Sequence, residues 1–203
     1  ALYRQAISDS SRLLATAAAF SATDQAARGI ALGRTALARF GSTPDVWRLI
    51  YPVTARDTIV AESRKAGVEP ALIAGLIRQE SSFNPRATSP AGARGLMQVM
   101  PSVGQSIAPS AGISDWNPAM LYDPGVNIEL GIRHLAPLLR GQPNVARSLA
   151  AYNAGGSRVA RWSTRRGAED PEIFTERIPF QETRDYVKSV LRNREFYQAL
   201  YSW

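Results

Sequence analysis

The sequence predicts an all-α protein. Three observations carry this: apolar residues recur at helical spacing, capping residues stand ahead of most such stretches, and no two alternating runs offer a convincing strand pair. The first 50 residues are rich in alanine, and "SDSSRLLATAAAF", "TDQAARGIALGRTALARF" and "TPDVWRLIY" each open on a Ser, Thr or Asp cap. Gly41 suits the C-terminal cap of the second. "YPVTARD", Tyr51–Asp57, forms a joint. "ARDTIVAESRKAG" is an amphipathic helix ending at Gly67, and "VEPALIAGLIRQE" follows with Pro70 in its first turn. Residues 81–108, rich in Pro and Gly, read as a structured loop with a short hairpin around Gly92–Val99, and long internal loops are often functional. "YDPGVNIELGIRHLAPLLR" is a helix capped by Asp123, "NVARSLAAYNAGG" is closed by Gly155 and Gly156, and "SRVARW" is shorter. "ETRDYVKSVLRNREFYQALY" is the long final helix, with Val187, Val190, Leu191, Arg194, Tyr197 and Leu200 on its buried face.

Composition narrows the function classes. The chain has 203 residues, 45% hydrophobic and 20% charged, which suits one domain with a sizeable core and some extra chain. No apolar run approaches the ~20 residues that span a bilayer. The chain opens on Ala1, as a processed or truncated product would. Lysine and arginine number 24 against 17 acids, for a net charge of +7. Such a surface suits a polyanion: nucleic acid, an anionic membrane, or a cell-wall polymer bearing carboxylates. No aromatic-basic strings of the nucleic-acid-binding kind accompany the charge. Cysteine is absent, so disulfides and thiolate nucleophiles are excluded. The sole histidine, His134, lies in a helical stretch without a serine motif, so a packed or surface role suits it better than catalysis. Metal sites with two histidines are ruled out.

One short run raises a chemical question. In "LIAGLIRQESSFNP", Leu72, Ile73, Leu76 and Ile77 share a helix face, and Glu80 continues it while Arg78 and Gln79 turn away. Pro85 ends the helix. An acid on the buried side of a helix, near its negative end, has its pKa raised by burial and by the helix dipole. It could then hold a proton near neutral pH. The alternative is a glutamate at a fraying helix end, turned to water.

Four blocks occur in order: "QESSFNPRATSPAGARGLMQVMP" (Gln79–Pro101), "YDPGVNIELGIRHL" (Tyr122–Leu135), "AAYNAGGSRVARW" (Ala150–Trp162) and "ERIPFQETRDYVKSVL" (Glu176–Leu191). Together they resemble the catalytic domain of the soluble lytic transglycosylases, enzymes with a lysozyme-like α fold that cleave bacterial peptidoglycan. The resemblance covers roughly residues 55–203, and four blocks at consistent spacing make it specific. "IPFQETRDYV" is similar to the branch that carries a helical superhelix upstream. Residues 1–54 would then be a helical N-terminal segment, the end of such a region or a linker, and residues 55–203 the catalytic domain.

The resemblance implies that Glu80 is the catalytic acid. It further implies substrate-binding roles for Ser89, Gln98, Met100, Tyr152, Asn153 and Glu182. Each has a plainer alternative: turn chemistry beside Pro90 for Ser89, packing for the methionines and Tyr152, a helix-end amide for Asn153, and an N-terminal helix acid for Glu182. Gly92 and Gly95 would let the loop backbone approach a sugar. Trp116 and Trp162 suit sugar stacking and core packing equally. Glu176 and Arg184 suit a salt bridge or surface charges. Most glycosidases use two carboxylates, yet the loop after Glu80 carries no acid before Asp115, and Asp115, Asp123 and Glu129 are explained by capping or exposure. The family's chemistry needs one: the glutamate acts as acid and then base, and the substrate's 6-hydroxyl closes a 1,6-anhydromuramoyl end on cleavage of the MurNAc–GlcNAc bond. The resemblance calls for no metal or organic cofactor. Its expected partner is the peptidoglycan glycan strand rather than nucleic acid, in the bacterial periplasm or cell envelope. A goose-type hydrolase that uses water, and a non-catalytic peptidoglycan-binding module, are the alternatives.

Overall fold

A computed structural model describes residues 10–21, 23 and 25–203. Eleven α-helices occur among these residues: α1 (Ser10–Ser21), α2 (Ala26–Phe40), α3 (Pro44–Ile50), α4 (Arg56–Ala66), α5 (Pro70–Glu80), α6 (Pro101–Ile107), α7 (Pro124–Gly141), α8 (Val145–Ala154), α9 (Gly156–Trp162), α10 (Pro171–Glu176) and α11 (Gln181–Leu200). Two 3₁₀ turns, Ala108–Ala111 and Pro118–Tyr122, lie between α6 and α7. The only β-pairing among the described residues is isolated: Thr88 with Arg94, and Arg94 with Val99. The expected hairpin is thus reduced to single bridges within a loop.

Local chemistry places most boundaries. Thr43, Asp123 and Asn144 accept from backbone N–H groups at the starts of α3, α7 and α8. Gly41, Gly67 and Gly155 end α2, α4 and α8 with positive φ. The cap of α2 differs from expectation: Gln25 occupies it without a side-chain bond. The expected caps at Ser8, Asp9 and Asp24 lie outside the described residues, while Thr23, at the head of the second stretch, accepts from the Gln25 N–H at 3.2 Å just ahead of α2. The expected loop also ends earlier, because Pro101 starts α6. Gly104 weakens that helix as a sequence signal, but its bare backbone accommodates the Trp116 ring against it. Helix α10, capped by Asp170, was not anticipated.

Helix α5 is the centre of the molecule. Every residue from Ala71 to Ile77 is buried, so it has no solvent face over two turns. Its main neighbour is α11. The two approach closely at Gly75, where a Cβ would stand 2.8 Å from the Arg194 nitrogen and 3.0 Å from the Val190 oxygen. Asn193 Nδ2 donates to the Gly75 carbonyl at 3.2 Å, and Arg194 Nε meets Glu69 Oε2 at 2.6 Å. The buried face of α11 therefore consists of Thr183, Tyr186, Val187, Val190, Asn193 and Tyr197. Leu191, Arg194 and Leu200, expected on that face, are only half-buried. The face is rotated toward residues whose polar ends find partners.

The N-terminal helices are packed onto this core by aromatic rings. Phe196 stacks on Tyr51 at 4.3 Å and on Trp47 at 4.9 Å between centroids. Tyr197 Oη donates to the Pro52 carbonyl at 2.9 Å and Tyr201 Oη to that of Tyr51 at 2.8 Å. No helix among the described residues is long and apolar enough to cross a membrane.

Candidate active site

Glu80 is the last residue of α5, and Ser81 caps the helix end. The chain then turns sharply, with Ser82 at φ 52° and Phe83 at φ 63°, an uncommon left-handed pair for residues with side chains. Fully buried Phe83 anchors the turn. Ser81 Oγ donates to the Leu96 carbonyl at 2.8 Å, drawing residues 95–98 over the end of α5.

Asn127 on α7 holds the other side of this loop. Its Nδ2 donates to the carbonyls of Arg94 and Leu121, both at 2.8 Å, and its Oδ1 accepts from the Met97 N–H at 2.7 Å. Gly95, at φ 75°, is required beside it, since a Cβ there would run into the Leu121 carbonyl and the Asn127 amide. Gly95 is thus explained by packing against Asn127, whereas Gly92, at φ 87°, has open space about it. Gln98 adopts φ 49° and donates its Nε2 to the carbonyls of Gly95 and Ala87, at 2.9 and 3.2 Å. Its amide nitrogen is spent on loop geometry. Met97 is fully buried, as its packing alternative anticipated, and Met100 is 37% exposed.

Two tyrosines meet Glu80. Tyr186 Oη, from α11, donates to Glu80 Oε1 at 2.7 Å. Tyr152, from α8, lies close enough for the carboxylate to raise the tyrosine's pKa further, beyond the rise that burial causes. Tyr152 Oη donates to the Met97 carbonyl at 2.8 Å, and the His134 ring packs on it at 5.2 Å. Burial of His134 lowers its pKa and favours the neutral ring. Next along α8, Asn153 accepts a 2.7 Å hydrogen bond from Thr183 on its Oδ1. That orients the amide and leaves its Nδ2 free to donate.

The Glu80 carboxyl is raised from its ordinary value to about 7, mainly by burial and against the opposing hydrogen bond from Tyr186. No other charged group contributes. The carboxyl nevertheless retains a partly open side. A carboxylic acid that is half ionised near neutrality and reachable from solvent can both give and take a proton. Perturbed groups of this kind concentrate at functional sites.

The remaining expected residues are placed as follows. Ser89 Oγ accepts from the Ala93 N–H at 3.0 Å, within the turn after Pro90. Glu182 is exposed in the first turn of α11, four residues before Tyr186 and so on the same side of that helix. Trp162 is buried and meets the exposed Phe180 edge to face. Glu176 pairs with Lys188 at 2.6 Å instead of Arg184, whose guanidinium donates to the Ile178 carbonyl. Tyr186 and Asn127 had no part in the sequence reading. Tyr186 stands four residues after Glu182 in the last block, and its spacing alone marks it as a core residue.

Residues 57–175 match the family model "Transglycosylase SLT domain", and residues 177–202 match "Soluble lytic transglycosylase helical domain". The soluble lytic murein transglycosylases of Salmonella typhimurium and Escherichia coli K12 are each 36% identical over 152 residues. Those matches cover 73% of this chain but 23% of either relative, so the chain spans under a quarter of their length. An inactive mutant of the lytic transglycosylase Slt from Pseudomonas aeruginosa superposes with a TM-score of 0.79 at 29% identity, covering 100% of this chain and 34% of that one. The complex of the 70 kDa soluble lytic transglycosylase with bulgecin A gives 0.80 at 29% identity, covering 95% and 30%. With a matched domain model running from α4 to α10 and an all-α fold shared with both structures, the chain belongs to the soluble lytic transglycosylase family.

Proposed function

We propose that this chain is a peptidoglycan lytic transglycosylase that cuts the β-1,4 bond between MurNAc and GlcNAc and leaves a 1,6-anhydromuramoyl end. The observation that carries the reading is a single carboxyl, Glu80, with a pKa of about 7 and no second acid acting on it. Two-carboxylate glycosidases separate the roles of acid and nucleophile or base between two groups. One carboxyl titrating near neutrality can serve as acid and base in turn.

The steps balance without water. Glu80 gives its proton to the glycosidic oxygen, and the bond from that oxygen to C1 of the muramoyl sugar breaks. The substrate's own acetamido oxygen stabilises C1 as the bond departs. The C6 hydroxyl then attacks C1, and its proton passes to the Glu80 carboxylate, which restores the acid. Tyr186 Oη stabilises the carboxylate between the two transfers. Asn153 Nδ2, held by Thr183, is positioned to orient the acetamido group. Met100 would offer the sugars an apolar contact, and Gln98 Oε1 an accepting one. Ser89 and Glu182 are assigned to the rim. The family's work on murein supports action at the cell envelope, in the periplasm.

Mass spectrometry of products from purified sacculi tests this. Digestion in ¹⁸O-labelled water should yield anhydro ends without label, and Glu80→Gln should lower the yield at least about a thousandfold. Reducing ends carrying label would establish a hydrolase instead.

A further inference from the structure

Arg78 takes no part in the proposed chemistry and turns away from Glu80, yet it is held at a cost. It is half-buried, and among the described residues no carboxylate lies within ion-pairing distance of it. Burial lowers its pKa, and the charges of Arg34 and Arg192 nearby add to that. A cation taken from water and set among like charges is unfavourable, and an apolar side chain at this place on α5 would avoid the penalty. Three uncharged groups hold Arg78 instead. Its Nε donates to the Ile50 carbonyl at 3.2 Å, its Nη1 donates to Ser82 Oγ at 3.1 Å, and the guanidinium lies over the Tyr51 ring at 5.8 Å. Ile50 ends α3 and Tyr51 follows it, whereas Ser82 stands two residues beyond Glu80. One planar fork therefore joins the N-terminal helices to the turn that follows the acid.

In that turn Ser82 and Phe83 both hold positive φ, a conformation that the surroundings must impose. Each residue after Glu80 has its own tether. Ser81 Oγ donates to the Leu96 carbonyl in the loop. Phe83, fully buried, meets Tyr197 of α11 edge to face at 6.2 Å. Ser82 is held by Arg78. We propose that Arg78 is a positioning residue for the reaction: its fork between Ile50 and Ser82 fixes the turn that keeps the Glu80 carboxyl buried against Tyr186 and Tyr152. This rests on the reading of Glu80 as the acid. Arg78 acts through the backbone and not through its charge, which has no share in raising the Glu80 pKa. Releasing the turn would admit water to the carboxyl, so the acid would ionise at a lower pH. The N-terminal helices thereby become part of the catalytic arrangement without touching the substrate.

The test uses the full chain and the variants Ser82→Ala, Arg78→Gln and Arg78→Lys on peptidoglycan strands, with anhydro ends counted. Ser82→Ala and Arg78→Gln should each lower kcat about tenfold with KM within about twofold, and combining them should do no worse than Arg78→Gln alone. The midpoint of kcat/KM against pH should fall by at least about half a unit in both. Arg78→Lys keeps the charge but offers a single point of contact, so it should share the lowered midpoint. A midpoint that stays at the parent's value while only the melting temperature drops marks Arg78 as purely structural and overturns the proposal, as does full recovery by Arg78→Lys. Should Arg78→Gln fail to fold, Ser82→Ala decides alone. The Glu80 carboxyl is also read directly, by NMR titration of chains carrying ¹³C-labelled glutamate, with Glu80→Gln to assign the signal. The same downward shift is expected there. If the parent makes no anhydro ends, the glycosidase reading fails, and the titration then decides the role of Arg78 by itself: a carboxyl that titrates alike in parent and variants overturns it.

Discussion

Glu80 keeps its proton up to about pH 7 because burial penalises its charge more than one tyrosine hydrogen bond relieves it. The folded-state value lies above the ordinary 4.5, so between those two values the folded chain binds more protons than the unfolded chain. Stability therefore falls as pH rises from about 4.5 to 7, and the deficit is constant above that. Glu80→Gln should raise stability at pH 8 by at most roughly 3 kcal/mol and leave it unchanged at pH 4, as thermal melts at the two values would read. In the proposed mechanism the first step needs the protonated acid, so kcat/KM should decline through a midpoint near pH 7. Tyr186→Phe removes a donor that favours the ionised form. The midpoint should then move to higher pH while the rate at the optimum drops, and an unmoved midpoint would mean the hydroxyl acts elsewhere. The acid was legible in the sequence because the apolar stripe of α5 runs into it. Tyr186 was not, because Tyr186 and Tyr197 read alike on α11. One hydroxyl meets Glu80 and the other the Pro52 carbonyl, and only the fold distinguishes them.

At the scale of elements, the site depends on how a loop is held above the end of a helix. Residues 81–100 contain three non-glycine residues with positive φ, Ser82, Phe83 and Gln98, whose strain the surroundings must offset. Asn127 is the chief support, with three hydrogen bonds from a fully buried side chain. Asn127→Ala leaves a buried N–H and two carbonyls without that partner. It should cost about 3–5 kcal/mol and most of the activity, as denaturant unfolding and turnover would show. Periodicity and caps located α5 before this loop and α7 beyond it, though not the short α6 between, since those signals are local. They could not reveal the loop's path, because its hydrogen bonds go to residues about 30 positions away. The same limit rotated the expected face of α11: Asn193 reads as polar surface until the Gly75 carbonyl is opposite it.

For the molecule as a whole, α5 and α11 form an axis, and the N-terminal helices close one side through Trp47, Tyr51 and Phe196. A chain starting at Thr54 would expose Phe196 and deprive Tyr197 of its acceptor on Pro52. Its stability should fall by about 3–5 kcal/mol, as a thermal or urea transition would show. An unchanged transition would make residues 10–53 a dispensable appendage. The sequence alone determined the all-α class, most helix boundaries and one isolated acid at a helix end, because period, caps and the helix dipole act within a few residues. Tertiary structure alone decided which tyrosine reaches that acid, how the loop is pinned over it and that Arg78 reaches back to Ile50. Those contacts join distant positions, 106 residues apart for Tyr186 and Glu80, and no local signal encodes such a meeting.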